Sequence, residues 1–309
     1  MAINKVVQAV LRALSYPDID LKKNYKLQRQ AVNMTHQYHI LRPFFKMWDI
    51  KINSGGYDIP VRLFAPEENA DNSPLLLFFH GGGWVTGNVD SYTRVCANMA
   101  KLTGHRVASV DYRLAPEHKF PAAPEDCYRA AREIFCNAEL LNVNPEQITL
   151  IGDSAGANLA AVVSLMARDR DEFLPRKQIL IYPATYFDHS ESSPFASVKE
   201  NGTDYLLTAK KICDYMELYR KTEEDKQNPY FAPLLAAELS DQPETLLITA
   251  EYDPLRDEGE EYGKRLAEFG NLVEIHRIAD ALHGFFSLPP TFSQVRECYD
   301  IINRFLSEV

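Results

Sequence analysis

The chain has 309 residues, of which 46% are hydrophobic and 25% are charged, so it can bury a sizeable core and is not a disordered chain. Its formal net charge is −10 and no basic stripe is present, which excludes nucleic acid as its main partner. The same acidic balance disfavours a membrane surface or an anionic substrate, and a small neutral substrate is expected instead.

The first 45 residues are predicted to be mostly amphipathic helix. Apolar residues recur at helical spacing near its start: Ile3, Val7, Val10 and Leu14. Polar residues interrupt this stretch and no small-residue cleavage site follows, so it is not expected to be a signal peptide. No run reaches the about 18 apolar residues that a membrane span needs. We expect residues 1–45 to form the N-terminal segment of a cap.

Residues 48–65 predict two strands joined by a Ser-Gly-Gly turn. Short, almost continuously apolar runs follow, typical of parallel strands buried on both faces: 74–79, 105–112, 147–152, 177–183, 244–250 and 272–278. Helices are predicted over about 121–140, 154–169, 258–269 and 291–307. This alternation predicts an α/β fold with a doubly wound, mostly parallel sheet, built from residues 46–184 and 233–309.

Residues 80–87, HGGGWVTG, place three glycines directly after a buried strand. Each glycine in ordered structure costs about 0.5–1 kcal/mol relative to alanine, so the run indicates a sharp bend or a close approach of backbone to something else. A phosphate-binding loop is disfavoured because no Gly-Lys-Ser/Thr sequence follows Gly87.

Residues 111–117, DYRLAPE, follow the next predicted strand and turn at Pro116. We expect Asp111, Arg113 and Glu117 to form a buried ion network that braces the glycine loop. This role is favoured over contact with substrate.

Residues 152–156, GDSAG, lie where a predicted strand runs straight into a predicted helix. The pattern G-x-S-x-G at such a turn is typical of a strained serine whose hydroxyl points out of the sheet. Small residues are needed on both sides because a larger side chain at Gly152 or Gly156 would collide with the turn. Ser154 is therefore the candidate nucleophile.

Residues 185–232 interrupt the alternation of strands and helices with a polar and aromatic segment that contains a predicted helix over about 208–220. Because the insertion joins two sheet strands, it should lie at the sheet edge where open α/β sheets bind ligands. We expect it to pack with residues 1–45 as a small cap; a solvated excursion is the alternative. The aromatic side chains of the insertion, which would be costly to leave in water, favour the cap.

A serine hydroxyl needs a base, and the base needs an orienting group. His283, in the loop after the last strand, is the candidate base, favoured over the other histidines: His36, His39, His80, His105, His118, His189 and His276. Asp253, just after the penultimate strand, is the candidate acid. Asp257 and Glu251 are weaker candidates. The order serine, aspartate, histidine along the chain is that of the α/β-hydrolases.

The predicted triad suggests a function for the three glycines of residues 80–87. Attack by serine on a carbonyl creates an oxyanion, which needs backbone N–H donors about 2.7–3.1 Å away. Gly82 and Gly83 are expected to donate from the glycine loop, and Ala155 from the residue after the nucleophile. His80 is expected to hold the loop by a side-chain hydrogen bond and not to transfer protons.

Five cysteines lie far apart and never form a C-x-x-C pair: Cys96, Cys127, Cys136, Cys213 and Cys298. Neither a disulfide framework nor a zinc site is expected, and a reducing compartment is favoured. The predicted location is therefore cytoplasmic.

Five motifs together resemble the hormone-sensitive-lipase branch of the α/β-hydrolases, a family of many bacterial esterases: HGGGWVTG, DYRLAPEHKFPAAPEDC, GDSAGANLA, DPLRDEG and HGF. The resemblance covers about residues 60–290. It implies an eight-stranded sheet, a helical cap, and cofactor-free and metal-free hydrolysis of short- to medium-chain carboxylic esters. It also implies the Ser154, Asp253 and His283 triad, the three oxyanion donors, and a homodimer formed through a sheet edge. Ala157 departs from the family, which often has glycine there; its methyl group should slightly alter helix packing or the pocket wall and leave the chemistry in place.

Two alternatives remain open from the sequence. The same triad could hydrolyse amides or formamides, and the same fold could serve as a non-catalytic receptor for a small apolar ligand. The complete triad disfavours the receptor. Long-chain lipase activity is disfavoured because no extended apolar lid segment is present.

Overall fold

An eight-stranded sheet organises the chain. The computed structural model describes residue 15 and residues 20–35, 46–53, 55–66 and 73–308. The predicted amphipathic stretch over residues 3–14 lies outside the described residues. Within them, none of the helices combines the length and the apolar character required to cross a bilayer.

The strands follow the order β1-β2-β4-β3-β5-β6-β7-β8 across the sheet. Their bounds are β1 Lys46–Asn53, β2 Asp58–Ala65, β3 Leu75–Phe79, β4 Arg106–Val110, β5 Ile148–Asp153, β6 Lys177–Ile181, β7 Glu244–Tyr252 and β8 Val273–Leu282. Strand β2 pairs antiparallel with β1 and β4, and every later pair is parallel. The predicted hairpin and the six predicted parallel strands are confirmed.

Helices cover both faces of the sheet. The helices are α1 Leu21–Thr35, α2 Thr93–Thr103, α3 Ala122–Cys136, α4 Ala155–Arg170, α5 Ala196–Asn201, α6 Ala209–Tyr219, α7 Arg256–Glu268 and α8 Ser293–Ser307. Helices α2 and α5 were not predicted. The signal for α2 was present, because Val95, Cys96, Met99 and Ala100 form one buried stripe and Gly104 ends the helix with φ of 69°.

Side chains along the central strands point alternately to the two faces of the sheet, so the core consists of two clusters. In β3, Leu75, Leu77 and Phe79 join one buried cluster, which includes side chains of α3, α4 and α7. Leu76 and Phe78 point to the opposite face and join a second cluster with α2 and α8. Side chains of a strand alternate between faces, so burial of both faces explains the unbroken apolar runs in the sequence.

The N-terminal helix and the insertion meet over the carboxyl edge of the sheet. The Gln28 side-chain amide of α1 donates to the Tyr215 hydroxyl of α6 over 2.6 Å, and Lys22 pairs with Glu217 at 2.5 Å. The Arg29 guanidinium donates to the carbonyl oxygens of Val85 and Ala115, each over 2.7 Å. These contacts join α1 to the insertion and to the glycine loop, and the division into a cap of segments 1–45 and 185–232 stays a prediction.

Candidate active site

Ser154 occupies a sharp turn between β5 and α4. Its φ of 56° and ψ of −120° lie in a region that side-chain-bearing residues seldom adopt, a kind of strain found at functional sites. The turn is tight because the main chain of Gly156 lies against β3. A Cβ on Gly156 would come within 2.0 Å of the Phe79 carbonyl oxygen. Glycine is therefore required at position 156.

The structure brings His283 to both of its predicted partners. The Nε2 atom of His283 lies 2.8 Å from the Ser154 Oγ, and Nδ1 lies 2.7 Å from Oδ2 of Asp253. A carboxylate accepts hydrogen bonds, so Nδ1 carries the proton and Nε2 is left to accept from the serine hydroxyl. This arrangement suits a base that takes the serine proton.

Asp253 is fully buried, with 0% of its side chain exposed. Its second oxygen, Oδ1, accepts the backbone N–H of Leu255 over 2.9 Å, which fixes the carboxylate orientation. The two weaker candidate acids lie elsewhere. Asp257 pairs with Arg256 at 2.8 Å, and Glu251 accepts the backbone N–H of Asp280 over 2.7 Å. Asp253 is thus the candidate acid that contacts His283.

Gly82, Gly83 and Ala155 line the same cavity as Ser154. Among the described residues, none of these three backbone N–H groups has a hydrogen-bond acceptor. Gly82 and Gly83 have φ values of 117° and 61°, and a Cβ on Gly83 would lie 2.6 Å from the ring of Tyr215. Glycine is therefore needed at position 83 for its backbone conformation and for close packing of Tyr215 from α6, a reason that the sequence did not reveal.

His80 lies at the base of the glycine loop, and among the described residues no hydrogen bond joins its ring to Ser154. Its Nδ1–H donates to the Gly81 carbonyl oxygen over 2.8 Å, and its ring stacks on Tyr112 with 4.3 Å between centroids. Burial lowers the pKa of His80 to about 4, so the ring is neutral at physiological pH. A hydrogen bond within the loop is the contact that the sequence predicted for this side chain.

The low pKa of His80 predicts a loss of stability in acid. The unfolded chain binds a proton at this residue near pH 6.5 and the folded protein only near pH 4, so the free energy of unfolding falls between these values. The variant His80→Asn keeps an N–H donor and serves as the reference. Relative to it, the free energy of unfolding of the wild-type protein should fall by about 3 kcal/mol between pH 7.5 and pH 4. Urea unfolding of both proteins at several pH values measures this difference. Parallel stability curves would contradict the prediction.

The prediction that Asp111, Arg113 and Glu117 of the DYRLAPE segment form one ion network is wrong. Arg113 pairs with Asp126 of α3 at 2.8 Å, and Glu117 pairs with Arg29 of α1 at 2.9 Å. Asp111 instead accepts the backbone N–H of Val89 over 3.2 Å. Each charged group thus pairs with an element distant in sequence, and the segment is connected to α1 and α3 rather than within itself.

His189, predicted to be a loop residue, is fully buried. Its Nε2 lies 2.5 Å from Glu258 Oε2 of α7, and Oε1 of the same carboxylate accepts the backbone N–H groups of Thr185 and Tyr186 over 2.7 and 3.1 Å. This cluster fastens the start of the insertion to the core. No sequence pattern predicts this pair, because the two residues are 69 positions apart.

The cavity in front of Ser154 has a volume of about 190 Å³ and is mainly apolar. The insertion contributes part of its wall, and the core contributes the rest: Leu207, Ile212 and Tyr215 from the insertion, Trp84, Ala184 and Leu255 from the core. Such a lining suits small apolar groups placed beside a reacting polar centre.

The sheet is largely parallel, and its strand-to-helix turn carries a serine that contacts a histidine, which in turn contacts an aspartate. Serine, aspartate and histidine follow one another in this order along the chain. These features define the class of α/β-hydrolases. A family model described as alpha/beta hydrolase fold matches residues 76–287. The chain belongs to this family, in its hormone-sensitive-lipase-like branch of bacterial carboxylesterases.

Similar proteins carry esterase names. The chain is 39% identical over 284 residues to an arylesterase of Saccharolobus solfataricus, covering 90% of each chain. It is 35% identical to an ethyl acetate hydrolase of Pseudomonas putida, covering 78% of this chain and 76% of the relative. A solved structure of a hyperthermophilic esterase from Pyrobaculum calidifontis superposes with a TM-score of 0.87 at 37% identity, covering 99% of this chain and 98% of that one.

Proposed function

We propose that this protein is a serine carboxylesterase that hydrolyses short- to medium-chain carboxylic esters through an acyl-enzyme. One observation carries the proposal. The Ser154 hydroxyl lies 2.8 Å from a histidine ring that a buried carboxylate orients. The same cavity is lined by Gly82, Gly83 and Ala155, whose backbone N–H groups have no acceptor in the part of the chain that the structure describes. The arylesterase and ethyl acetate hydrolase names of the relatives support the same reaction.

In the proposed mechanism, His283 Nε2 takes the Ser154 proton as Oγ attacks the ester carbonyl carbon. The carbonyl π electrons move to oxygen, and the resulting oxyanion accepts hydrogen bonds from the N–H groups of Gly82, Gly83 and Ala155. Collapse of this intermediate breaks the bond to the alcohol, which leaves with the proton from His283.

Hydrolysis of the acyl-enzyme repeats these steps with water. His283 deprotonates the water as its oxygen attacks the acyl carbon, and the proton then returns to Ser154 as the carboxylic acid leaves. Asp253 remains a carboxylate throughout and stabilises the imidazolium that forms twice per cycle. The reaction uses only side chains and backbone of this chain together with water.

The size and lining of the cavity support small neutral esters. A volume of about 190 Å³ accommodates short acyl and alcohol groups, and its mainly apolar wall favours uncharged ones. The net charge of −10 also disfavours anionic substrates. We therefore expect short- to medium-chain acyl groups to be preferred over long ones.

A series of p-nitrophenyl esters from acetate to laurate tests the proposal. We expect kcat/KM to be highest for the short- to medium-chain esters and lowest for the laurate. A matched p-nitroanilide tests the amide alternative, and covalent labelling by a fluorophosphonate tests the receptor alternative. Faster cleavage of the anilide, or failure of the fluorophosphonate to label the protein, would overturn the proposed function.

We also propose a cytoplasmic location and a homodimer. The five cysteines are free thiols, which supports a reducing compartment. A dimer through the sheet would use an edge strand, and β1 and β8 are the two edges. Light scattering after size exclusion, on the wild-type protein, measures the number of copies.

A further inference from the structure

Asp153, the residue between the glycine and the serine of the GDSAG motif, has no part in the mechanism above. It is the last residue of β5, and only 2% of its surface is exposed. Its carboxylate reaches across to the glycine loop that follows β3, where Oδ1 accepts the backbone N–H of Gly81 over 2.8 Å. The residues next in the loop are the two proposed oxyanion donors.

Two hydroxyl groups hold the other oxygen of the same carboxylate. The Tyr92 hydroxyl donates to Oδ2 over 3.1 Å, and the Tyr182 hydroxyl does so over 3.4 Å. Tyr92 also lines the cavity in front of Ser154. The carboxylate thus joins the nucleophile turn, the glycine loop and the cavity wall at one point.

The main chain of Gly81 packs closely against Asp153. A Cβ on Gly81 would lie 2.8 Å from Oδ2 and 2.9 Å from the carbonyl oxygen of Asp153. Below this contact, β3 and β5 are held by the sheet, with Phe79 opposite Gly152. In addition to this backbone pairing, the Asp153 carboxylate connects the glycine loop to the turn that carries Ser154.

A buried carboxylate is costly without a cation, and among the described residues no lysine or arginine pairs with Asp153. Burial raises the pKa of Asp153 to about 6, which shows that its hydrogen bonds do not fully offset desolvation. An apolar residue would satisfy packing alone. A charged group retained at such a cost beside a reacting centre indicates a role in the reaction.

We propose that Asp153 is a positioning residue: through the Gly81 N–H it fixes where the Gly82 and Gly83 N–H groups stand relative to the Ser154 Oγ. The inference rests on the proposed esterase function. Without the Asp153 carboxylate, the glycine loop loses its bond to the nucleophile turn, and the two loop donors no longer meet the oxyanion at the required distance.

Asp153→Ala and Asp153→Asn separate this role from a merely structural one. The asparagine keeps an acceptor for the Gly81 N–H and should retain activity within about tenfold of wild type, whereas the alanine should lower kcat by about 100-fold with little change in KM. Tyr92→Phe, which removes one donor to Oδ2, should lower kcat by a few-fold and remains informative if the alanine variant does not fold.

The decisive readout compares an ester with its thionoester. Sulfur accepts hydrogen bonds weakly, so loss of oxyanion donors slows the oxygen ester more than the thionoester. We expect the ester-to-thionoester ratio of kcat/KM to fall by about tenfold in Asp153→Ala. Asp111→Ala, which removes the side-chain acceptor of the Val89 N–H just beyond the glycine loop, is the matched control and should leave the ratio unchanged.

Two results would overturn the inference: wild-type kcat in Asp153→Ala, or an equal fall for ester and thionoester. Failure of the proposed function is distinguishable, because the wild-type protein would then not hydrolyse the ester at all.

Discussion

Replacing Ser154 by alanine is expected to abolish ester hydrolysis, with kcat reduced roughly 10⁶-fold, while the fold remains intact. The reason is that Ser154 Oγ is the atom 2.8 Å from His283 Nε2, and alanine leaves the base with nothing to deprotonate in the acylation step. The substitution keeps a Cβ in the same strained turn, so the free energy of unfolding should change by less than about 1 kcal/mol.

Turnover of p-nitrophenyl butyrate and the mass increase on fluorophosphonate labelling measure this effect. Ser287→Ala is the matched control, because Ser287 is a second serine of the same cavity and, among the described residues, no hydrogen bond joins it to His283. Wild-type labelling should occur on the peptide that contains Ser154. Labelling of Ser154→Ala at wild-type stoichiometry would show that another residue is the nucleophile.

Asp253→Asn should lower kcat by about 10⁴-fold, the second largest effect that we expect. The Leu255 N–H holds the oxygen at the Oδ1 position, so the new amide nitrogen faces His283 Nδ1. Two N–H donors cannot face each other, and the ring must move its proton to Nε2. In that tautomer Nε2 no longer accepts the serine proton.

Asp257→Asn provides the comparison for this prediction. Asp257 lies four residues further along and carries the same charge, but its carboxylate contacts Arg256 and Ser197. Its replacement should change kcat by less than about tenfold, because none of the reacting atoms loses a partner. Steady-state kinetics above pH 7 measure both variants. A larger loss in Asp257→Asn than in Asp253→Asn would reverse the assignment of the acid.

The sequence was sufficient for the sheet and for the residues at its carboxyl edge. Strands buried on both faces give apolar runs that are easily recognised, and parallel strands place their carboxyl ends together. Ser154, Asp253 and His283 each follow such a run, so their convergence could be inferred without coordinates. The distances of 2.8 and 2.7 Å around His283 agree with that inference.

Pairing between distant side chains could not be predicted in the same way. Arg113 has Asp126 as its partner and Glu117 has Arg29, and no periodicity relates these positions. The contact of Tyr215 with Gly83 depends on how α6 lies across the edge of the sheet, which neither segment specifies alone. Asp153 was visible in its motif, but its role depends on which loop its carboxylate reaches.

The contact between Tyr215 and Gly83 links two properties that are often treated as separable. The ring forms part of the cavity wall and also lies against the backbone proposed to stabilise the transition state. Evolution or engineering of substrate preference through α6 therefore alters catalytic efficiency at the same time. Variants selected for a bulkier acid or alcohol should regain speed through compensating changes around residues 82–86, so the two segments form one unit for directed evolution.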